Sequence, residues 1–286
     1  MKKALWIVWC CSVLLALPIF AVCPSADLTG DCRVDLADLA VLASQWLADG
    51  NPVDMVWVSI DDPGVAGHEA FKGEMSKYET TNAQYCKFLN AALASGEITV
   101  YHDIVYATSD TGHSQPYFCT EAASSNSQIT YSGDTFSVRS RDGYRMDNHP
   151  VVMASWYGAT AFCNFYGCRL PTEWEWQAVA DYDGSYTYGC GTSIDSTKAN
   201  YWPNNPLGLT RNPFTSPVDH YPAYGYGMCD MAGNVWEWTS SMYDASNRVI
   251  RGGGWGHDDY YCTVSYRYCG DPYGTSYYAI GFRVCR

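Results

Sequence analysis

The apolar residues of this chain fall into a few dense blocks separated by long polar stretches. The first block runs from Ala4 to Ala21 behind Lys2 and Lys3. A charged start followed by an apolar run predicts an export leader, cut after Ala21. These 18 residues also match the length of a minimal membrane span. An uncleaved anchor and a lipoprotein acylated on Cys23 are therefore the competing readings. Pro18 and the polar stretch after Cys23 favour cleavage. Next, Leu36, Leu39, Val41, Leu42, Trp46 and Leu47 recur at roughly helical spacing. Aromatic and β-branched residues over Met55–Ile60 predict a strand. Tyr85, Phe88, Leu89 and Ala92 form one face of a helix capped by Thr81 or Asn82. Residues 95–148 show no sustained helical period and read as short strands and loops. Ser155–Ala159 opens a second helix through Phe162, Cys163 and Phe165. Thr172, with Glu175 three residues later, forms a capping box that starts a third. From Asp181 onward the chain is dense in Gly, Pro, Asn and Tyr. Together these blocks predict an irregular, loop-rich α+β domain over about 53–286, with 22–50 as a separate small module.

Composition narrows the function. The chain is 47% hydrophobic, which excludes a disordered protein. Its net charge of −13 argues against nucleic acid and anionic lipid as partners, since both are held by Lys and Arg. Only 16% of residues are charged while 15% are aromatic, including 24 Tyr and 11 Trp. A helical bundle does not use that mixture; a fold of stacked rings and turns does. Two of the 13 cysteines lie in the leader, and the other eleven suit an oxidising compartment, periplasmic or extracellular. Eleven is odd, so at least one thiol stays outside intramolecular pairing, and connectivity is not readable from spacing. No membrane span is expected after leader cleavage.

Between the leader and the main domain, Asp27, Thr29, Asp31 and Asp35 alternate, and Asp38 closes a 12-residue span. This is oxygen-ligand spacing for a hard cation, with Asp27, Thr29, Asp31 and Asp38 as candidate Ca²⁺ ligands. One loop feeding one helix resembles a single dockerin repeat. Cys32 stands where such a loop usually has Gly, and a Cys23–Cys32 disulfide would close it. The alternative is an amphipathic helix with an acidic N-terminus.

Five motifs follow in the main domain. They are Glu79–Tyr85, Arg169–Trp176, Gly233–Trp238, Arg251–Trp255 and the closing Gly281-Phe282-Arg283. In that order they resemble the formylglycine-generating enzyme, or sulfatase-modifying factor, family. The resemblance implies a C-type-lectin-like core elaborated by long loops. In active members it implies a copper-dependent oxidase that converts a sulfatase Cys to formylglycine, with a sulfatase-like protein as substrate. The family's Cu⁺-binding cysteine pair falls on His257 and Cys262, so the pair is incomplete here, and activity is in question. Asp230, Gly233, Val235 and Glu237 match a structural Ca²⁺ site of the family. Asn200 and Tyr201 match part of a second. Cys163 with Cys285 matches a family disulfide, Cys285 lying one residue late.

Residues 256–279 support a different expectation. Seven of these 24 are Tyr, and Lys, Glu, Gln, Met and Trp are absent. Tyr, Ser, Gly and Asp make rigid yet adaptable contact surfaces. The segment resembles the variable region of retroelement-diversified proteins, which precedes a terminal Ile-Gly-Phe-Arg. On this reading the protein is a non-catalytic, lectin-like binder of a protein or glycan, with Tyr260, Tyr261, Tyr277 and Tyr278 as contact residues. The competing reading packs the same tyrosines against a Trp-rich core.

Overall fold

The structure, a computed structural model, describes residues 34, 54–65, 70–274 and 277–286. The expected leader and the calcium loop, with Asp27, Thr29, Asp31, Asp38, Cys23 and Cys32, lie outside the described residues. The chain divides into two compact units, Met1–Trp46 and Leu47–Arg286, and the second carries every element named below. No helix among the described residues is long and apolar enough to cross a membrane.

Local sequence sets the three α-helices among the described residues. Helix α1 (Asn82–Ala94) starts at Thr81, whose side chain accepts from the Gln84 N–H while Gln84 reaches back to the Thr81 N–H. Helix α2 (Trp156–Tyr166) is capped by Ser155 and stopped by Gly167 at φ 68°, a left-handed position suited to glycine. Helix α3 (Glu173–Ala180) carries the expected Thr172/Glu175 box. The expected first strand sits two residues later, as β1 (Trp57–Asp62), antiparallel to β2 (Phe71–Ser76). Between α1 and α2 come seven short strands. They are β3 (Ile98–Tyr101), β4 (Ile104–Ala107), β5 (Pro116–Cys119), β6 (Ile129–Ser132), β7 (Thr135–Val138), β8 (Ser140–Arg141) and β9 (Tyr144–Arg145). Aromatic side chains fill the core between α1 and α2. Phe162 meets Tyr85, Phe88, Tyr166 and Phe282 at centroid distances of 5.0–5.9 Å.

The C-terminal third holds more than loops. It forms a four-stranded sheet of β10 (Trp236–Met242), β11 (Arg248–Arg251), β12 (Tyr268–Gly270) and β13 (Ile280–Gly281), in the order β12-β11-β10-β13. β10 and β13 pair in parallel, Trp236 opposite Ile280, and the other pairs are antiparallel. Strands of two to four residues surrounded by Gly and Tyr carry too little alternation to be recognised from sequence.

Four of the five sequence motifs converge on one buried polar cluster. Arg283 is fully buried and donates from Nε and Nη2 to the two carboxylate oxygens of Glu237, both at 2.7 Å. Its remaining donors reach the carbonyls of Ser76, Lys77 and Cys229. Trp176 Nε1 donates to Glu237 at 2.8 Å. Glu79 accepts from the Asn234 side chain at 2.7 Å and from the Val235 N–H at 3.1 Å. One arginine thus ties together β2, the 229–237 segment, β10 and the C-terminus. Losing it leaves Glu237 buried without its counter-charge beside Glu79 and Asp230. Arg283→Met is therefore expected to cost about 3–5 kcal/mol, read as a lower urea midpoint at unchanged slope. Arg283→Lys is expected to recover little of this, because an ammonium cannot reproduce the two-pronged contact. Full stability in Arg283→Met would show that the cluster does not hold the fold.

Candidate functional site

A cleft of about 400 Å³ opens on the four-stranded sheet. Every strand contributes: Trp236 from β10, Ile250 from β11, Tyr268 and Cys269 from β12, Ile280 from β13. The segment after β11 adds Trp255, Gly256 and His257, and the segment before β13 adds Tyr277, Tyr278 and Ala279. Asn212 completes the lining. Trp236, Trp255, Ile250 and Ile280 are buried, whereas Tyr268 and Tyr278 are 48% and 40% exposed. Buried rings thus meet exposed rings across one opening. Among the described residues, no carboxylate, lysine or arginine lines it.

Trp236 Nε1 donates to His257 Nδ1 at 3.2 Å. That bond makes Nδ1 the acceptor, so the ring proton sits on Nε2 in the neutral form. Burial also lowers the His257 pKa, which favours the neutral ring. Trp255 packs edge-on against Phe214 at 5.2 Å and tilts over Tyr278 at 5.8 Å. Tyr277 lies edge-on to Trp238 at 5.6 Å, and its hydroxyl accepts from the Asp271 N–H at 2.8 Å.

The tyrosines expected to form a contact surface divide into two groups. Tyr277 and Tyr278 line the cleft. Tyr260 and Tyr261 lie outside the lining, in a run of edge-on rings with Tyr266 at 5.0–5.6 Å. Tyr261 also meets His257 at 5.2 Å, so the two groups adjoin. Sequence reasoning missed Trp236, Trp255, Tyr268, Ile250 and Asn212 as lining residues. Trp236 and Trp255 stand in the recognised motifs, but their burial reads as core until the sheet turns one face of each toward the opening.

His257 and Cys262 do not join at the cleft. His257 lines it, while Cys262 ends a 3₁₀ turn (Asp259–Cys262) and is fully buried in a separate cluster with Cys190, Ala199 and Ala232. Burial pushes the Cys262 thiol up to about 12, so it holds its proton at neutral pH. Among the described residues no three His, Cys, Asp or Glu side chains converge as a metal-ligand group.

The residues matching calcium sites sit on tight turns. Asp230 and Asn234 are left-handed at φ 54° and 59°, and Gly233 at φ 81°. A Cβ on Gly233 would lie 2.5 Å from the Asn200 carbonyl, so glycine permits this close approach. Among the described residues, both carboxylate oxygens of Asp230 are buried without a hydrogen-bond partner. Burial, reinforced by Glu237 and Asp219 and opposed by Arg283, pushes the Asp230 pKa up to about 8. Glu237 is already engaged by Arg283 and Trp176, and the Val235 N–H by Glu79. Asn200 Oδ1 is likewise buried without a partner among the described residues, while its Nδ2 donates to the Phe214 carbonyl at 2.8 Å. The Tyr201 carbonyl accepts from the Asn204 N–H. Cys163 and Cys285 are buried free thiols; Cys163 hydrogen-bonds to Cys168, and Cys285 lies near enough to raise its pKa further.

Known proteins share these features in part. Over 111 residues the chain is 39% identical to a formylglycine-generating enzyme of Mycobacterium tuberculosis, covering 35% of this chain and 36% of that protein. Over 115 residues it is 40% identical to an inactive C-alpha-formylglycine-generating enzyme 2 of Bos taurus, covering 37% and 38%. Over 161 residues it is 35% identical to a serine/threonine-protein kinase pkn1 of Chlamydia caviae, covering 48% and 24%. The chain thus spans between 24% and 38% of the length of these relatives. The crystal structure of CarF superposes with a TM-score of 0.54 at 17% identity, over 81% of this chain and 98% of that one. At that identity the likeness concerns the fold alone, the loop-rich α+β, C-type-lectin-like arrangement. A family model of the sulfatase-modifying factor enzyme 1-like domain matches residues 68–286. That match covers most of the chain and every described motif from Glu79 to Arg283, so the protein belongs to the sulfatase-modifying factor enzyme 1-like domain family.

Proposed function

We propose that this protein is a non-catalytic, lectin-like binding member of its family, taking a protein or glycan ligand into the aromatic cleft. The observation that carries the reading is the cleft lining. Five aromatic rings (Trp236, Trp255, Tyr268, Tyr277 and Tyr278) surround an opening whose described lining holds no carboxylate, lysine or arginine. Such rings stack on sugar faces or on side chains of a partner. The Nε2–H of His257 and the amide of Asn212 supply the few polar contacts that orient a ligand. The volume suits a single sugar ring or one large side chain. Export to the periplasm or beyond is part of the proposal, and it would bring the exposed tyrosines to extracellular ligands.

The residues present do not fit the family's copper pair. Cu⁺ is selected by soft thiolates. One position of the pair is His257, whose Nδ1 already accepts from Trp236. The other, Cys262, lies in a different cluster, where burial pushes its thiol, when reduced, up to about 12. Titrating the reduced full chain with Cu⁺ against a competing chelator, beside Cys262→Ser, is therefore expected to give no binding specific to Cys262. Stoichiometric binding lost in Cys262→Ser would overturn the reading and return the oxidase. Binding to arrayed glycans and displayed peptides is expected to weaken at least tenfold in Tyr268→Ala and Tyr278→Ala. Unchanged capture by both variants would place the ligand elsewhere.

We also propose that Asp230 holds a structural Ca²⁺. A buried carboxylate with two unclaimed oxygens is costly unless a cation or a proton neutralises it. Without calcium the raised pKa of Asp230 makes its contribution favourable at low pH and lost as pH rises through about 8. Chelated protein should thus melt lower at pH 8.5 than at pH 6, which lie above and below that value. Calcium should restore the Tm at pH 8.5 in the native chain and not in Asp230→Asn. Equal calcium effects in both would assign the ion to another site.

A further inference from the structure

The cluster that holds Cys262 contains a second thiol that neither the family pair nor the family disulfide uses. We infer that Cys190 and Cys262, two buried thiols of this structure, form a disulfide that ties the Tyr-rich C-terminal segment to the turn at 188–191.

Backbone pairing brings the two segments together. Tyr188 and Gly191 exchange two hydrogen bonds of 2.9 Å, which makes a tight turn with Cys190 inside it. Tyr188 pairs antiparallel with Thr263, and the Val264 N–H donates to the Thr187 carbonyl at 2.9 Å. Cys190 and Cys262 therefore stand within two residues of a paired position on adjoining segments. The Tyr188–Thr263 bridge thus places the two cysteines on adjoining backbone segments, which a disulfide between them requires.

Both side chains then enter the same small apolar cluster. Its other buried members are Ala199 and Ala232, with Tyr188, Ile194, Tyr201 and Tyr224 packed around it. The small alanines leave the sulfurs as the bulkiest polarizable atoms inside. Gly253 makes room for Cys262, since a Cβ there would lie 2.6 Å from its sulfur. The contacts each thiol makes on its own are long. Cys190 Sγ is 3.9 Å from the Ser193 carbonyl, and Cys262 Sγ is 3.7 Å from the Asp258 carbonyl. A disulfide would leave neither cysteine with an S–H donor in this apolar site.

Chemically, two thiols lose their protons and two electrons to a low-molecular-weight disulfide such as oxidised glutathione. The Cys190–Cys262 S–S bond forms, the glutathione S–S bond breaks, and the protons end on two glutathione thiols. Both sulfurs are buried, so the bond forms before the cluster closes and is shielded from an external thiolate afterwards. It would fix the 3₁₀ turn that carries Tyr260 and Tyr261. It would also leave Cys262 without the free thiolate that copper requires. The inference rests on the cluster and its backbone pairing, not on the ligand-binding reading.

The test is peptide mapping of the full chain, refolded in a reduced and oxidised glutathione mixture, alkylated under denaturing conditions and digested without reductant. The expected product joins the Cys190 and Cys262 peptides, two hydrogens lighter than the reduced pair. Alkylation of both residues in the oxidised protein, or linkage of either to another cysteine, overturns the inference. Melting supplies a second readout. Cys190→Ser and Cys262→Ser should each lower Tm by about 5–10 °C, and the double variant should fall no further than either. Additive losses would mean two independent packing residues. Glycan and peptide binding by the Tyr268 variant is unaffected by either result, so failure here is distinct from failure of the proposed function.

Discussion

The buried pair of Arg283 and Glu237 is the interaction on which the rest of the domain depends. A guanidinium with no solvent exposure must satisfy every donor, and it does so on Glu237, on the adjacent carbonyls of Ser76 and Lys77, and on the distant carbonyl of Cys229. That demand fixes β2, the turn before β10 and the chain end relative to one another. The cost of burying the pair is met only because Trp176 and the carbonyls complete its hydrogen bonds. A second buried arginine, Arg251, ties down the next layer through its Nη2, while its Nε has no hydrogen-bond partner among the described residues. It donates to the Val264 carbonyl and the Gln177 side chain, and it faces the Trp176 ring at 5.3 Å. Helix α3 is thereby held to the sheet by charge as well as by packing.

The cleft is a consequence of this arrangement. With β10 and β13 locked by their ends, Trp236 and Ile280 are presented opposite each other on the sheet. The neighbouring strands add Ile250 and Tyr268, which also face each other. Loops then supply rings where a more regular sheet would meet a helix. Trp255 is set by the turn that follows Arg251, and Tyr277 by its hydrogen bond to the Asp271 backbone. The aromatic opening is thus a property of the sheet and its two flanking loops together.

The same construction separates chemistry that is adjacent in sequence. His257 and Cys262 are five positions apart, yet the 3₁₀ turn between them sends one side chain to the cleft and the other to the Cys190 cluster. Tyr260 and Tyr261 are divided from Tyr277 and Tyr278 in a related way: the first two build a ring run beside the cleft, and the last two line it. A residue set that reads as one surface in sequence becomes two adjoining ones.

Much of this was legible in the chain itself. Thr81 and Thr172 with their partners Gln84 and Glu175 announced two helices, because capping is a contact across three residues and needs no tertiary help. The ordered motifs from Glu79 to Arg283 identified the family, and four of the five supply residues to the cluster around the buried arginine. The loop-rich α+β class followed from the shortness of the periodic segments. Only the tertiary structure decided the four-stranded sheet, whose strands of Ile280–Gly281 or Tyr268–Gly270 are too short to show a period. Only it decided which of the aromatic residues face an opening, and that Cys262 neighbours Cys190 rather than His257. Those outcomes depend on contacts between residues tens of positions apart, and local preference carries no information about which distant partner a side chain will meet.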